Sequence, residues 1–572
     1  AANQLCGGSD EGSGLVYNSC FCRTAVLESL FLRKGGDVLI KLNHVSFSYQ
    51  NGEANEMQVL SDVSFQASRG ECVVLCGKSG CGKTTMLRLV NGLIPHFYAG
   101  KLEGNVLVGG QEMQQTPLSQ TSRIVGSVFQ NPRTQFFHLD TTGEMAFNLE
   151  NQNVPRPQMK KRLEEVSYRL NLQELMNRNI FELSGGEKQQ IACGSVYAAL
   201  PSVIVMDEPS SNLDMESIRK LQKLIRMMKD EGRTVLISEH RLWYLEGIAD
   251  RYVLLEDGRI RQEFTPEAAA DLSLEKRKAL GLRAVKREQL YELRPDMGLI
   301  KQKSTGLEID GLQFSRQMRQ VLNVPHLEIP SGAIVAVIGE NGAGKSTFSL
   351  CLAGLLKHTG TVRIDGKKIA HKKLPEQVYL VMQEAGHQLF SDTVLGELTL
   401  NNPALSEEKG KEVLTTLGLN GMENRHPGSL SGGQQQRLSL GTALCMKRKL
   451  MLYDEPTSGQ DGENLLRTAE LIRAANKQAA STLIVTHDPE LILRCATHIL
   501  HIHAGEVKKF IPLDERGVIY MKKVFGEDAQ TKKPQKTGIP RLLEFTGRHR
   551  PLLGAAQLLS GISALFLLGP FV

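Results

Sequence analysis

Short apolar runs recur along the chain and alternate with longer segments of helical periodicity. The first half contains such runs at residues 72–75, 203–206 and 235–237, and the second half contains them at residues 333–338, 450–453 and 483–485. Runs that are apolar on both faces are typical of parallel strands buried between helices. The pattern therefore predicts an α/β fold with a mostly parallel sheet covered by helices.

A glycine-rich loop follows the first of these runs in each half. Residues 77–84 read GKSGCGKT and residues 339–346 read GENGAGKS, so both match the P-loop pattern G-x-x-x-x-G-K followed by Thr or Ser. The two lysines are 345 − 83 = 262 residues apart, whereas three later landmarks repeat at 431 − 184 = 454 − 207 = 487 − 240 = 247 residues. A constant offset over three motifs predicts two copies of one fold, with insertions confined to the front part.

The repeat divides the chain into segments. We predict copy one at residues 38–263, a charged, helix-prone linker at 264–304 and copy two at 305–512, flanked by an irregular leader at 1–37 and a basic linker at 513–550. Residues 552–572 carry no charge and follow Arg548 and Arg550. About 20 apolar residues suffice to span a bilayer. Residues 551–572 are therefore predicted to begin a membrane helix of a longer polypeptide, and a buried or interfacial helix is the alternative.

Charge and cysteine content bear on the partners of the protein and on its cellular compartment. The net charge of 68 − 62 = +6 over 572 residues is too mild to predict a nucleic-acid partner. The ten cysteines include no CxxC pair and no framework of short spacings. A reduced, cytosolic compartment is the better interpretation.

The P-loops carry the first chemistry. Successive backbone N–H groups surround phosphate oxygens, with help from the positive end of the next helix, and glycines allow that close approach. Lys83 and Lys345 would neutralise the β- and γ-phosphates, and Thr84 and Ser346 would offer hydroxyls to Mg²⁺. The predicted phosphate-binding residues are Gly77, Ser79, Gly80, Gly82, Lys83, Thr84 and Thr85 in copy one, and Gly339, Asn341, Gly342, Gly344, Lys345, Ser346 and Thr347 in copy two.

An acidic pair ends one apolar run in each copy. Asp207 and Glu208 follow residues 203–206, and Asp454 and Glu455 follow residues 450–453. The aspartates suit a Mg²⁺ role, and the adjacent glutamates can polarise an attacking water as general bases. Two carboxylates just past a buried strand would be costly without a cation, so we predict a functional role for them.

A further motif lies between the P-loop and the acidic pair of each copy, and it carries a family resemblance. Residues 183–187 read LSGGE and residues 430–434 read LSGGQ, which resembles the signature of ATP-binding cassette (ABC) ATPases. The order of P-loop, glutamine (Gln130 or Gln383), signature, acidic pair and histidine (His240 or His487) is also similar to that family over nearly all of residues 38–512. The resemblance implies two P-loop NTPase domains in tandem, each with a mostly parallel sheet and a helical subdomain.

In that family two cassettes close head to tail over two ATP molecules. The resemblance then implies two composite sites that bind ATP and Mg²⁺. Site 1 would combine Lys83, Gln130, Asp207, Glu208 and His240 with Ser431, Gly432 and Gly433. Site 2 would combine Lys345, Gln383, Asp454, Glu455 and His487 with Ser184, Gly185 and Gly186. The two glutamines join Thr84, Asp207, Ser346 and Asp454 as implied Mg²⁺ ligands, and the glutamates, histidines and glutamines are the implied catalytic residues.

The two copies depart from this pattern in different ways. Tyr49 stands where the family stacks adenine on an aromatic ring, and its counterpart in copy two is Arg316, which can also stack on a base. Glu187 replaces the usual glutamine of the signature. Gln460 replaces the apolar residue expected before Asp461, whereas Leu213 precedes the equivalent aspartate. We predict two competent but non-equivalent sites.

The segments after the P-loop helix and after each glutamine resemble the fused ATPase subunits of energy-coupling factor (ECF) importers. There the segment after the glutamine docks a coupling helix of the membrane scaffold, whereas the alternative makes Phe136 and Phe137 core residues. The resemblance implies ATP-driven uptake of a vitamin or metal ion, with integral membrane scaffold and substrate-binding subunits as partners and no nucleic acid. The implied location is the cytoplasmic face of the cell membrane, peripheral or tethered by residues 551–572. The alternatives are a hybrid with a fused exporter-type membrane domain and a soluble tandem ABC translation factor.

Overall fold

The structure, a computed structural model, describes residues 37–51, 55–292, 304–317, 319–400, 402 and 405–526. The predicted leader, apart from residue 37, lies outside these ranges. So do residues 527–550 of the basic linker and the predicted membrane segment 551–572. None of the helices formed by the described residues is long and apolar enough to cross a membrane.

Copy one contains two sheets. A four-stranded antiparallel sheet has the order β2-β1-β4-β5, and a six-stranded, mostly parallel sheet has the order β10-β9-β3-β8-β7-β6. The strands are β1 Val38–Asn51, β2 Asn55–Ser68, β3 Cys72–Cys76, β4 Gly100–Val108, β5 Gln111–Glu112, β6 Val125–Val128, β7 Val203–Asp207, β8 Thr234–Ser238, β9 Arg251–Glu256 and β10 Arg259–Phe264. The parallel sheet places the ends of β3, β7 and β8 side by side, which brings the P-loop, the acidic pair and His240 to one edge.

Helices cover the parallel sheet of copy one. They are α1 Lys83–Val90, α2 Leu93–His96, α3 Leu118–Ile124, α4 Thr141–Asn151, α5 Arg156–Arg169, α6 Gly185–Ala198 and α7 Met215–Asp230. Helix α7 illustrates why these segments form helices that pack on the sheet. Asp214 caps its first turn, and an apolar stripe that includes Ile218, Leu221 and Ile225 is buried. The predicted sheet covered by helices is confirmed.

Copy two repeats this order in a single ten-stranded sheet, β15-β14-β11-β12-β20-β19-β13-β18-β17-β16. One pairing, Asn323 with Glu506, joins its antiparallel and parallel parts. Its strands are β11 Thr305–Arg316, β12 Arg319–Pro330, β13 Ala333–Ile338, β14 Thr361–Ile364, β15 Lys367–Ile369, β16 Val378–Val381, β17 Leu450–Asp454, β18 Ser481–Val485, β19 His498–His503 and β20 Glu506–Pro512.

The segment between the copies is folded rather than extended. It contains helices α8 Pro266–Ala270 and α9 Leu274–Ala279 and a 3-10 turn at Arg287–Tyr291. Leu282, Ala284, Val285 and Leu290 are buried. The guanidinium of Arg287 lies 5.3 Å from the ring centre of Trp243 in copy one. We call residues 281–290 the connecting segment, and the described part of the predicted linker therefore packs as part of the structure.

The remaining helices follow in copy two and beyond it. They are α10 Lys345–Leu352, α11 Leu374–Gln377, α12 Val394–Thr399, α13 Glu407–Thr416, α14 Gly432–Cys445, α15 Gly462–Asn476, α16 Pro489–Cys495 and α17 Glu515–Val524. The described residues from 37 to 514 form one unit that includes both copies, and α17 belongs to a second unit. Both copies can therefore be described together.

Candidate functional site

Each P-loop curls around its own lysine. Lys83 Nζ donates hydrogen bonds to the carbonyl oxygens of Gly77 and Lys78 at 3.0 and 2.9 Å, and Lys345 makes the same pair of bonds in copy two, both at 2.8 Å. Gly77 has φ of 134°, and a Cβ there would lie 2.2 Å from a carbonyl oxygen of β9. Only glycine fits this position, so the loop's shape is set by its sequence.

The acidic pair of copy one lies beside the P-loop helix. Thr84 Oγ1 donates to Asp207 Oδ1 at 3.1 Å, and Gln130 Nε2 donates to Glu208 Oε2 at 2.8 Å. His240 Nε2 lies 3.3 Å from Glu208 Oε1. Five of the residues implied for the first copy are thus brought together at the acidic pair, although they come from four separate segments of the chain.

The equivalent residues of copy two are arranged less tightly. His487 Nε2 lies 3.8 Å from Glu455 Oε1, and the Thr486 hydroxyl donates to Glu455 Oε2 at 3.4 Å. Gln383 does not contact Glu455; its amide instead donates to Asn212 Oδ1 of copy one at 2.9 Å. Both glutamates have left-handed backbones, with φ of 43° for Glu208 and 47° for Glu455. Such strain is common at functional sites.

The carboxyl groups have different protonation properties. Burial raises the pKa of Asp207, and the neighbouring Glu208 raises it further, while burial also raises the pKa of Asp454. Burial opposes ionisation of Glu208, but the side chains of His240 and Lys83 together lower the pKa of that carboxyl. In copy two burial dominates and raises the pKa of Glu455. Buried carboxylates beside a hydroxyl form an oxygen-rich set that fits Mg²⁺.

Both signature serines begin a helix. The Ser184 hydroxyl accepts from the Glu187 N–H at 3.3 Å, and the Glu187 carboxylate accepts from the Ser184 N–H at 2.7 Å. Ser431 and Gln434 form the same reciprocal cap in copy two. Glu187 therefore does the structural work of the glutamine it replaces.

Two aspartates carry contacts from one copy to the P-loop of the other. Asp461 Oδ2 accepts from the Ser79 N–H at 2.7 Å, and Asp214 Oδ2 accepts from the Asn341 N–H at 3.1 Å. Their other carboxylate oxygens cap helices α15 and α7. The two copies therefore face each other head to tail, each P-loop against the helix start of its partner copy.

A crevice of about 840 Å³ lies between the copies. Its lining brings together P-loop two, Gln383, Asp454, Glu455 and His487 with Ser184 and Gly185 of signature one, and on the opposite side Ser79 and Gln130 with Gly432 and Gly433. Gly186 is not among its lining residues and packs against Ser217 in copy one instead. Ser431 is also absent from the lining, although its neighbours are present.

The predicted adenine positions differ. The Tyr49 hydroxyl contacts the Thr85 hydroxyl at 3.3 Å and accepts from Arg88 at 3.0 Å. Arg88 also lies 4.1 Å above the ring of Tyr98, a residue of the longer front part of copy one. Arg316 ends β11 and is exposed. The aromatic ring is thus held in copy one, whereas the arginine of copy two extends into solvent.

Sequence reasoning missed several residues that the structure places at the sites. In the sequence, Asp214 and Asp461 draw attention only as the residues that follow Leu213 and Gln460. They are nevertheless separated by the repeat offset, 461 − 214 = 247. Asn212, which contacts Gln383, carried no motif signal. Arg283 of the connecting segment is 3% exposed and ion-paired with Asp488 and Glu490 at 2.7 Å each, directly after His487. Only the repeat offset could have marked the two aspartates.

Comparison with known proteins gives two kinds of similarity. The profile of the ABC transporter family matches residues 60–211 and 322–458. A Treponema denticola protein provisionally named as an ABC transporter ATP-binding protein is 40% identical over 476 residues, covering 82% of this chain and 96% of that protein. A Bacillus subtilis protein provisionally named the HMP/thiamine import ATP-binding protein YkoD is 32% identical over 502 residues, covering 82% and 90%.

Among solved structures, RNase-L inhibitor aligns over 84% of this chain and 92% of its own, with a TM-score of 0.57 and 22% identity. At that identity the likeness concerns the fold alone. It extends over both copies, which is consistent with the tandem arrangement described above.

Proposed function

Since this chain belongs to the ABC transporter family as an ATP-binding protein with two ABC domains in tandem, we propose that its P-loops form two composite sites. The chain is an ATPase whose hydrolysis of ATP powers transport. The observation that carries the composite arrangement is the pair of contacts from Asp461 to Ser79 and from Asp214 to Asn341. In this arrangement neither copy is complete without the other.

In site 1, Lys83 and the P-loop N–H groups bind the phosphates, and Glu208 orients and polarises the attacking water. His240 and Gln130 hold Glu208 in place through the contacts at 3.3 and 2.8 Å. Site 2 uses Lys345, Glu455, His487 and Gln383 in the same roles. Thr84 with Asp207, and Ser346 with Asp454, would hold Mg²⁺, which neutralises phosphate charge when it is bound.

A membrane subunit docks on the surface that follows Gln130 and Gln383. Phe137 is 75% exposed and stacks on Phe147, Leu139 is 70% exposed, and Phe390 of copy two is 78% exposed. Large apolar side chains that are exposed at matched places in both copies are typical of an interaction site. The alternative that Phe136 and Phe137 are core residues is wrong for Phe137, because most of its ring is accessible, whereas Phe136 is half-buried.

The transported substrate is a vitamin or a closely related precursor, and the process is uptake of the ECF type. This proposal is supported by the 32% identity to a Bacillus subtilis protein whose name refers to HMP and thiamine import. Substrate selection would then lie in a separate membrane subunit, in keeping with the docking surface described above.

The test combines purification with transport. The tagged chain, expressed in its native host, should co-purify with integral membrane proteins, and Phe137→Ser with Phe390→Ser should reduce that recovery while ATP binding persists. Tyr168→Ser, which removes an equally exposed ring elsewhere in copy one, is the matched control. Membranes containing the complex should take up labelled thiamine or HMP in an ATP-dependent manner. Recovery of ribosomes without membrane proteins would contradict the transport function.

A further inference from the structure

We propose that the two ATP sites differ in how they move: site 1 stays assembled through the cycle, and site 2 is the one that opens. Lys78 and Glu463 act as positioning residues that hold site 1 together. This inference rests on the proposed composite sites and adds to them an order of opening. Three structural differences between the copies support it.

The first difference is an ion pair across site 1. Lys78 Nζ, within P-loop one, lies 2.8 Å from Glu463 Oε2 at the start of α15 in copy two. The contact raises the pKa of Lys78 through its hydrogen bond to that carboxylate. It adjoins the bond from the Ser79 N–H to Asp461, so P-loop one is held to copy two at two successive residues.

The repeat offsets show that site 2 lacks the equivalent attraction. The counterpart of Lys78 is Glu340 (78 + 262), and the counterpart of Glu463 is Glu216 (463 − 247). Two carboxylates thus take the places of an ion pair. Glu216 pairs with Lys220 of its own helix at 3.0 Å, and the one ion pair that Glu340 makes among the described residues is with His503 of its own copy, at 4.0 Å. Like charges at matched positions favour separation.

The second difference is the connecting segment, which packs against P-loop one at site 1. The Gly462 N–H, beside Asp461, donates to the Gly281 carbonyl at 3.0 Å. A Cβ on Gly281 would lie 2.7 Å from Lys78 Cγ, so the segment also lies directly against the Lys78 side chain of P-loop one. Two residues later, Arg283 is buried in its ion pairs with Asp488 and Glu490. The segment therefore fastens the start of α15 and the region after His487 to P-loop one.

The third difference is the residue that precedes each interface aspartate, which is Gln460 before Asp461 and Leu213 before Asp214. In copy two, Gln460 Nε2 donates to Gln436 Oε1 at 3.3 Å and to the Pro456 carbonyl at 3.0 Å, and Gln460 Oε1 accepts from the Thr468 hydroxyl at 2.9 Å. This network, all of it buried, links the signature helix α14 to the start of α15. Both of these elements face site 1, so their relative position is fixed.

Copy one has a cavity at the matching place. Leu213 replaces Gln460, and Gln189, the counterpart of Gln436, is 5% exposed with no hydrogen-bond partner for its Nε2 among the described residues. The cavity is about 230 Å³ and lies between α6 and α7, lined by Leu213, Leu221 and Leu224 among others. Signature one and Asp214, which face site 2, therefore have room to move relative to each other.

Distances between spin labels test the inference on the full chain with its nucleotides. Labels at Gln111 and Lys411 report site 1, and labels at the repeat-equivalent Lys367 and Glu164 report site 2; all four residues are exposed. The seven described cysteines are buried, and Cys6, Cys20 and Cys22 are replaced by serine. When ADP replaces a non-hydrolysable ATP analogue, the site 2 distance should lengthen clearly more than the site 1 distance.

Charge variants test whether the attraction between Lys78 and Glu463 itself holds site 1 closed, because a merely structural role would not be rescued by reversing both charges. Lys78→Glu should increase the open population of site 1 by about two- to five-fold, the worth of a partly exposed ion pair. Lys78→Glu combined with Glu463→Lys should restore the closed state. Glu340→Lys, which installs the pair at site 2, should reduce the opening of site 2.

The outcomes separate the two proposals. Equal opening of both sites, or larger opening of site 1, overturns the order proposed here. A double charge reversal that behaves like Lys78→Glu alone overturns the roles of Lys78 and Glu463. If neither distance responds to any nucleotide, the composite ATP sites themselves are wrong.

Discussion

The two acidic pairs have the same residues at the same position in the fold, yet their surroundings differ. Glu208 is contacted by Gln130 and His240, and its pKa is lowered. Glu455 lies farther from its histidine, lacks the glutamine contact and has a raised pKa because burial dominates. Identical motifs therefore do not guarantee identical sites. The surrounding residue types match as well, and what differs is the contacts that they make: Gln130 donates to Glu208, whereas Gln383 donates to Asn212.

The two copies also differ in the contacts that they make outside the acidic pairs. The antiparallel and parallel parts are joined alike in both, by Ser61 N–H to the Gly258 carbonyl at 2.9 Å and by Asn323 N–H to the Gly505 carbonyl at 2.8 Å. The connecting segment, by contrast, is fastened to copy two through the ion pairs of Arg283. At site 1, P-loop one is held across the interface by Glu463 and Asp461 of copy two. Joining the copies by one segment therefore adds contacts unevenly: its Gly281 lies against Lys78 at site 1, and its Arg283 pairs with carboxylates directly after His487.

The largest expected effect removes a catalytic glutamate. Glu208→Gln and Glu455→Gln should each lower hydrolysis at the altered site by about 10²-fold or more, because the general base is lost. Single-turnover ATP hydrolysis by each variant checks this, with the double variant as the baseline. If both sites are competent, each single variant keeps activity above that baseline. Full activity in both single variants would rule out these roles.

The next effect concerns stability. Arg283→Met leaves Asp488 and Glu490 buried without their cation, which should lower the free energy of unfolding by about 3–5 kcal/mol. Lys286→Met, at a half-buried position three residues along, should change it by about 0.5 kcal/mol or less. Scanning calorimetry of the two variants measures the difference. Equal and small losses would mean that the connecting segment does not stabilise copy two.

A smaller effect distinguishes the two sides of the Gln460 network. Gln460→Leu gives copy two the residue found in copy one and leaves buried partners unsatisfied, at a cost of about 1–3 kcal/mol. Leu213→Gln in copy one should cost less, because the adjacent cavity can accept the amide and Gln189 gains a partner. Thermal unfolding of both variants provides the comparison. A greater loss from Leu213→Gln would contradict the network's proposed role.

The smallest effect is expected at the first signature. Glu187→Gln keeps the reciprocal cap with Ser184 and loses only the partly exposed ion pair with Arg178, so stability should change by about 1 kcal/mol or less. Ser184→Ala, which removes the cap itself, should cost about 1 kcal/mol and also weaken site 2. ATP binding and thermal unfolding measured together separate the two. A strong loss in Glu187→Gln would show that its charge matters for function.

The repeated strands, the P-loops and the acidic pairs could be predicted from sequence because their chemistry allows few residue types. A phosphate loop needs glycines at fixed places, and a hydrolytic site needs a carboxylate just past a buried strand. The two copies were therefore recognisable with their motifs in order. Glu187 was correctly singled out as a departure, although its role as a cap became clear only from the Ser184 geometry.

The remaining features depend on which segments meet in space. Arg283 is one basic residue in a charged stretch, and nothing local distinguishes it from the other basic residues of that stretch. Its importance comes from two carboxylates about 205 residues further along the chain. Likewise, Lys78 and Glu463 are ordinary surface residues until the P-loop of one copy is placed against the helix start of the other. Contacts of this range follow from the tertiary arrangement alone.

Trp243 is the chain's single tryptophan, and its ring lies under the guanidinium of Arg287 in the connecting segment. A lone indole beside a cation makes the protein's ultraviolet emission a local probe without any added dye. Release of the segment would change the ring's electrostatic surroundings and shift its emission. Ordinary stopped-flow fluorimetry could therefore follow, in real time and in the unlabelled protein, whether the junction of the two copies loosens during each round of ATP turnover.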